Sequence, residues 1–526
     1  MRLACVAVLS LASTTSAQIV LEDDVPAEGD YFVLPFDVPE GTVEIEVRHD
    51  DLSEENILDW GVLEPGGVFR GYGGGNTEPA VIGVDASSRS YLPGPIPAGE
   101  WVVYVGKAKV DELPARYRVE IDLRTVATLE PDTTRRPYVH APALESTARW
   151  YAGDFHVHSV ESGDASASID EVLAQARSVG LDFVMLSEHN TTSHVDRIGA
   201  FQDASTDVLI VPGVEFTTYA GHANGIGSLD WVDHRIGYEG GTIEGAIQRF
   251  RDRDVLFSIN HPTLGLGDAC IGCGWDHDVD PTQIDGVEIQ TGAWRLTGAL
   301  FSVRAIQVWD DLLEAGSRAA ALGGSDDHQG GMGTGAFDSP IGSPTTMVWA
   351  EELSVPAIMQ GIREGRTMVK MESNADPIAE LTAGEARIGD TVDTPQVDFT
   401  IRVTGADVGD VAFLVRNNQR VEAFTVDADP FEVTYGIEAP YGDAPDRYRV
   451  DVYADTEARV ITSVVWVAPQ EGEPPPDAGA LDASTGADAG SGGDGGGCGC
   501  RTTSSGGASS ALLLLVLCAR RRAQTW

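Results

Sequence analysis

The chain has 526 residues and a formal net charge of -47 at neutral pH. Domains usually hold about 100 to 200 residues, so this length predicts two to four of them. So acidic a surface repels phosphate backbones and anionic headgroups, which argues against nucleic acid or an acidic membrane as partner.

Met1-Arg2, an apolar run over 3–12 and Thr15-Ser16-Ala17 form the charged, apolar and small-residue zones of a secretory signal over 1–17. Cleavage is expected after Ala17, giving an exported protein. Cys5 leaves with that peptide, and Cys498, Cys500 and Cys518 lie in the tail. The mature body keeps only Cys270 and Cys273, so it is no disulfide scaffold.

Residues 18–146 read as an N-terminal β-sandwich, because short alternating runs at 31–36, 42–47, 101–105 and 117–121 are separated by Gly, Pro and Asp. Over 147–374 the rhythm becomes strand, loop, helix. A strand at 150–155 precedes a helix opened by Ser168 with Glu171 three residues on, a capping box, and closed near Gly180. Strands follow at 181–186, 208–214, 255–259, 286–289 and 319–322, with helices at 243–251, 300–315 and 354–364. Such alternation predicts an α/β domain of βα units on a parallel sheet, with functional residues at the strands' C-terminal ends.

Residues 375–468 return to short β-runs, read as a second β-sandwich with Asn417-Asn418 as a hairpin turn. Residues 469–497, rich in Pro, Gly, Ala, Asp and Ser, read as a disordered linker. The end, 498–526, carries Cys498-Gly-Cys500, an apolar run over 511–519 and Arg520-Arg521-Arg522. Nine apolar residues fall short of the roughly 20 that cross a bilayer as a helix. This arrangement resembles the MYXO-CTERM type of sorting tail, which implies retention at the cell surface.

Nine of the eleven histidines lie between His156 and His328, most of them just past an apolar strand. Asp154-Phe-His156-Val-His158 points both imidazoles to one side by the strand's period of two. Glu188-His189-Asn190, Gly213-Val-Glu215, Asn260-His261-Pro262 and Gly324-Ser-Asp326-Asp-His328 follow at later strand ends. Any one of these could be a satisfied core group, but five in order point to a metal site.

Over 149–370 these motifs together resemble the polymerase and histidinol phosphatase (PHP) superfamily, and within it the CehA/McbA-like metallohydrolases. The resemblance implies a distorted (βα)7 barrel flanked by the two β-sandwich domains, holding two or three divalent metal ions. By it, His156, His158, Glu215 and Asp326 hold the first ion, and Glu215 bridges to a second bound by His261. His189 and His328 hold a third, and His222 matches a further ligand position. The family places an aspartate where this chain has Gly163, with Asp164 following, which leaves the third ion open. Glu215, Asp326 and His222 are the residues assigned to catalysis.

Nitrogen and oxygen donors without thiolate suit zinc or manganese first, with iron allowed. The implied activity is an exported hydrolase that uses metal-activated water on an ester, carbamate or related bond of a small-molecule substrate. The alternatives are a PHP-type phosphoesterase and a catalytically inactive, metal-stabilised binding protein. Few bases accompany the motifs, and Arg295 is the nearest, which tilts the expectation away from phosphoesters. Cys270 and Cys273 read as a small loop disulfide, His194, His234 and His277 as solvated loop histidines, and the sandwiches as structural support. The sequence leaves the oligomeric state open.

Overall fold

The computed structural model describes residues 17–333 and 339–472. The expected signal peptide up to residue 16, the linker beyond 472 and the sorting tail lie outside the described residues. Among the described residues no helix is long and apolar enough to cross a membrane.

The N-terminal part is two four-stranded sheets around a core that includes Trp60, Trp101, Ile45 and Val119. One sheet contains Ile57–Glu64, Val68–Gly74 and Tyr31–Val38. Alternation is the cause: Tyr31–Val38 runs buried and exposed in turn over most of its length.

Seven strands then follow: β1 (Arg149–Val157), β2 (Phe183–His189), β3 (Leu209–Thr218), β4 (Gly221–Ile226), β5 (Leu256–Ile259), β6 (Gly286–Thr291) and β7 (Ala320–Gly324). They neighbour one another in chain order. The sheet curls until β7 returns to β1, where Asp326 N donates to His156 O at 2.8 Å and His158 N to Asp327 O at 2.9 Å. Phe155, Phe183, Met185 and Val211 pack with Ile358 and Ile362 of the helix Val355–Arg363. Ala152, Val184 and Ile210 pack with Val172 and Ala176 of α1 (Ile169–Ser178).

The expected capping box opens α1, with Ser168 and Glu171 each accepting from the other's backbone N–H. Strict βα alternation does not hold, however. β3 and β4 form an antiparallel hairpin closed at Thr218↔Gly221, and β4 and β5 are antiparallel as well. β4 reads Gly-His-Ala-Asn-Gly-Ile, too weakly apolar to signal a strand. It is held by its neighbours: Gly221, at φ +151, leaves no room for a Cβ against Trp275.

The curled sheet also crosses the boundary expected at 374/375. β8 (Thr345–Ala350) pairs with β1, β9 (Thr367–Lys370) with β8, and Glu457–Thr462 with β9. A separate four-stranded sheet, which contains Gln396–Thr404 and Phe431–Glu438, packs on this extension through Phe399, Ile401, Leu414 and Val450. Asn417 and Asn418, at φ 46 and 64, make the two-residue turn between Val411–Arg416 and Gln419–Thr425.

Candidate metal centre

The C-terminal ends of β1, β2, β3, β5 and β7, with β4, bring all nine expected ligands to one place. Glu215 Oε2 lies 3.3 Å from His156 Nε2 and 3.4 Å from His158 Nε2. Asp326 Oδ1 lies 3.2 Å from each of the same two nitrogens. Tetrahedral donors held about 2.0 Å from one ion sit about 3.3 Å apart, so these four atoms frame a cation-sized hole. His156 Nε2 and His158 Nε2 are buried and have no hydrogen-bond partner, a costly arrangement unless an ion satisfies them.

The other oxygen of the same carboxylate serves a second cluster. Glu215 Oε1 is 3.2 Å from His222 Nδ1 and 3.3 Å from His261 Nε2. A third triangle joins His189 Nε2, His328 Nε2 and Asp164 Oδ2, with all three sides 3.4 Å. Asp164, which follows Gly163, is one corner of this triangle.

Each of the six imidazoles is oriented from behind. Nδ1 of His156 faces Glu288 Oε2 at 3.3 Å, that of His158 faces Ser162 Oγ at 3.3 Å, and that of His189 lies 2.8 Å from both Thr217 Oγ1 and Glu215 Oε2. His261 Nδ1 faces the Cys273 carbonyl at 3.0 Å, and His328 Nδ1 the Asp326 carbonyl at 3.0 Å. His222 is reversed, with Nε2 3.3 Å from the Ile271 carbonyl. An N–H donated to those acceptors leaves every opposite nitrogen with its lone pair in the cluster, the arrangement metal-ligating histidines need. Cys270 and Cys273 are joined as a disulfide, and their loop supplies two of these carbonyls.

The electrostatics ask for positive charge. Burial opposes protonation of His156, yet Asp326, Glu215 and Glu288 raise it well above its ordinary value. His328 rises to about 9 against burial, through Asp164 and Asp326. Glu215, though buried, is held well below the carboxylate range by His156 and His189. A pocket that draws protons in against desolvation suits divalent cations.

Several participants were not singled out in the sequence. Glu288 lies inside the apolar strand β6 and accepts from His261 N at 2.9 Å; its signal was a charge among buried apolar residues. Asp154 accepts from Ser325 N and Gly342 N at 3.1 and 2.8 Å, tying β1 to the loop that carries Asp326. The N-terminal sandwich is more than support: its Tyr31, Asp59 and Tyr72 line the cavity of about 800 Å³ that opens onto the clusters. It also clamps the Asp164 loop, through Asn76 Nδ2 to Gly163 O at 2.8 Å and Arg89 Nη1 to Ala165 O at 2.9 Å.

Other expectations need correction. Arg295 does not line the cavity; it is exposed and paired with Glu372 at 2.7 Å. His194 and His234 are buried rather than solvated, and desolvation pushes each down to about 3. His234 packs edge-on to Tyr72 at 4.8 Å. Polar flanking residues hid this, because the burial comes from sequence-distant strands. His277 is half-buried, with Nε2 2.8 Å from Thr218 Oγ1.

Together, fold and site define a curled α/β sheet carrying a carboxylate-bridged, multi-histidine centre. No family model matches the chain, and no curated protein does. Among solved structures, a two-domain protein from Bacteroides vulgatus containing a predicted PHP-like metal-dependent phosphoesterase is similar. It is 20% identical over 63% of this chain and 99% of that one, with a TM-score of 0.36. A candidate metal-dependent phosphoesterase from Bifidobacterium adolescentis is 12% identical over 40% of this chain and 95% of that one, with a TM-score of 0.26. These likenesses are too loose to bear on chemistry, so the donor atoms carry the case.

Proposed function

We propose that the chain is a metal-dependent hydrolase of the PHP type, acting on an acyl ester, carbamate or related bond of a small molecule. The observation that carries this is the arrangement of five imidazoles, those of His156, His158, His189, His222 and His261, around the two oxygens of Glu215, with His328 beside His189. A bound divalent ion, zinc or manganese before iron, supplies Lewis acidity and lowers the pKa of water toward about 7.

The chain's own groups do the positioning. Glu215 fixes the spacing of two clusters through its two oxygens, and Asp326 closes the first. Glu288, Ser162 and the Cys273 carbonyl keep the imidazoles from rotating. Among the described lining residues none is Lys or Arg. A transferring phosphoryl group is normally held by such cations, so an uncharged acyl group fits this cavity better than a phosphomonoester.

The test uses the purified full chain: metal analysis, then turnover of aryl esters, carbamates and phosphoesters with and without chelator. Two or more ions per chain are expected, with chelator-sensitive turnover restored by zinc or manganese. Less than one ion per chain, or unchanged turnover in a His156→Ala, Glu215→Ala variant, would leave only a metal-free or binding role. Phosphoesters turning over faster than esters would reverse the bond assignment alone.

The proposal includes location: export through residues 1–17 and surface retention through 498–526, supported by sequence pattern. Cell fractionation that finds the chain in the cytosol with Met1 intact would sink that part.

A further inference from the structure

The cavity wall opposite the clusters comes largely from the N-terminal sandwich. Asp59 projects from Ile57–Glu64 and its Oδ2 accepts from the Tyr219 hydroxyl at 3.0 Å. Tyr72 lines the same cavity. Tyr31 stacks on Tyr219, with centroids 5.4 Å apart and planes 11° apart. All four residues line the cavity together with His189 and Asp164.

The donor inventory decides what this wall can bind. A tyrosine hydroxyl has one proton, and an ionised carboxylate has none. Tyr219 spends its proton on Asp59. The lining thus holds a carboxylate among tyrosine rings, with no Lys or Arg in the described lining to neutralise the acid. Desolvation pushes Asp59 up to about 6 against the Tyr219 hydroxyl, a cost that a cation beside the carboxylate would relieve. Carboxylate and tyrosine rings in one pocket complement an ammonium group.

We propose that Asp59, Tyr31, Tyr72 and Tyr219 form a subsite for a protonated amine, so that the substrate bears a cationic amino group away from the scissile bond. The wall is fixed in place, since Asn76 and Arg89 of the same sandwich hold the Asp164 loop. The substrate part of this inference rests on the hydrolase reading; the amine subsite does not.

The test titrates the full chain, metal-free and zinc-loaded, with benzylammonium and with benzyl alcohol by calorimetry, using wild type and Asp59→Asn. Wild type is expected to bind the ammonium at least about tenfold more tightly, about 1.4 kcal/mol, because a carboxylate pairs with the ammonium charge and not with the alcohol. That preference should collapse in Asp59→Asn while metal content stays the same. Equal binding of the two probes by wild type, or a preference that survives Asp59→Asn, overturns the subsite. A wild-type crystal soaked in 4-bromobenzylammonium gives a second readout should the variant not fold: nitrogen at Asp59 supports the subsite, nitrogen elsewhere rejects it. Ammonium preference without hydrolysis of any ester would fail the hydrolase reading and leave the subsite standing; hydrolysis without preference would do the reverse.

Discussion

At the scale of single residues, the centre depends on groups outside the ligand set expected from the sequence. Glu288 accepts from His261 N and faces His156 Nδ1, so one carboxylate orients a histidine of each bridged cluster. Glu288→Gln keeps the volume but weakens both contacts. Partners of this kind are typically worth about 10- to 100-fold in metal affinity. Competition against a chromophoric chelator should show a loss of that order with the fold retained, and equal affinity would remove Glu288 from the positioning role. Asp164 teaches a related lesson. Its loop is held from the N-terminal sandwich, where Asn76 Nδ2 donates to Gly163 O at 2.8 Å.

At the scale of elements, the ligands are delivered by strand ends, and strand spacing sets their reach. β7 returns to β1 so closely that a Cβ on Gly324 would lie 2.3 Å from His156 Cβ and 2.6 Å from Glu288 Oε1. Gly324→Ala should therefore push His156 out of line, costing about 1 to 3 kcal/mol in stability as overpacking does and lowering metal content. A thermal midpoint and metal content both equal to wild type would contradict that close approach. The long periodic elements were legible: residues 243–251 were read as the helix that forms there, and Ser168 with Glu171 marked α1. β4 was not, because its sequence lacks alternation and its place comes from antiparallel pairing to β3 and β5.

At the scale of the whole molecule, distant segments bury one another and change what titrates. His49 of the N-terminal sandwich stacks on Trp60 at 5.8 Å, and desolvation pushes it down to about 4. It is neutral in the folded chain but takes a proton below about 6.5 once unfolded. The unfolded state then binds more protons, so stability falls as pH drops from about 6.5 toward 4. His49→Phe keeps a ring and removes the titration. Relative to wild type, it should gain about 2 kcal/mol between roughly pH 7.5 and pH 5. Chemical denaturation at the two pH values checks this, and parallel losses in both proteins would count against it. The same mutual burial makes the sandwich a wall of the cavity rather than a separate support.

The sequence by itself determined the ligand types and their order, because histidines and carboxylates placed just past apolar strands reach one edge of a sheet wherever that sheet lies. It also determined the α/β character of the middle and the β character of the flanks, which follow from local periodicity. Tertiary structure alone decided which oxygen of Glu215 faces which histidine, and that Glu288 and three loop carbonyls orient the rings. It alone brought Asp59 and its tyrosines to the cavity. Those contacts join residues far apart in the chain, and no local pattern encodes a distance between segments that meet only when the core closes.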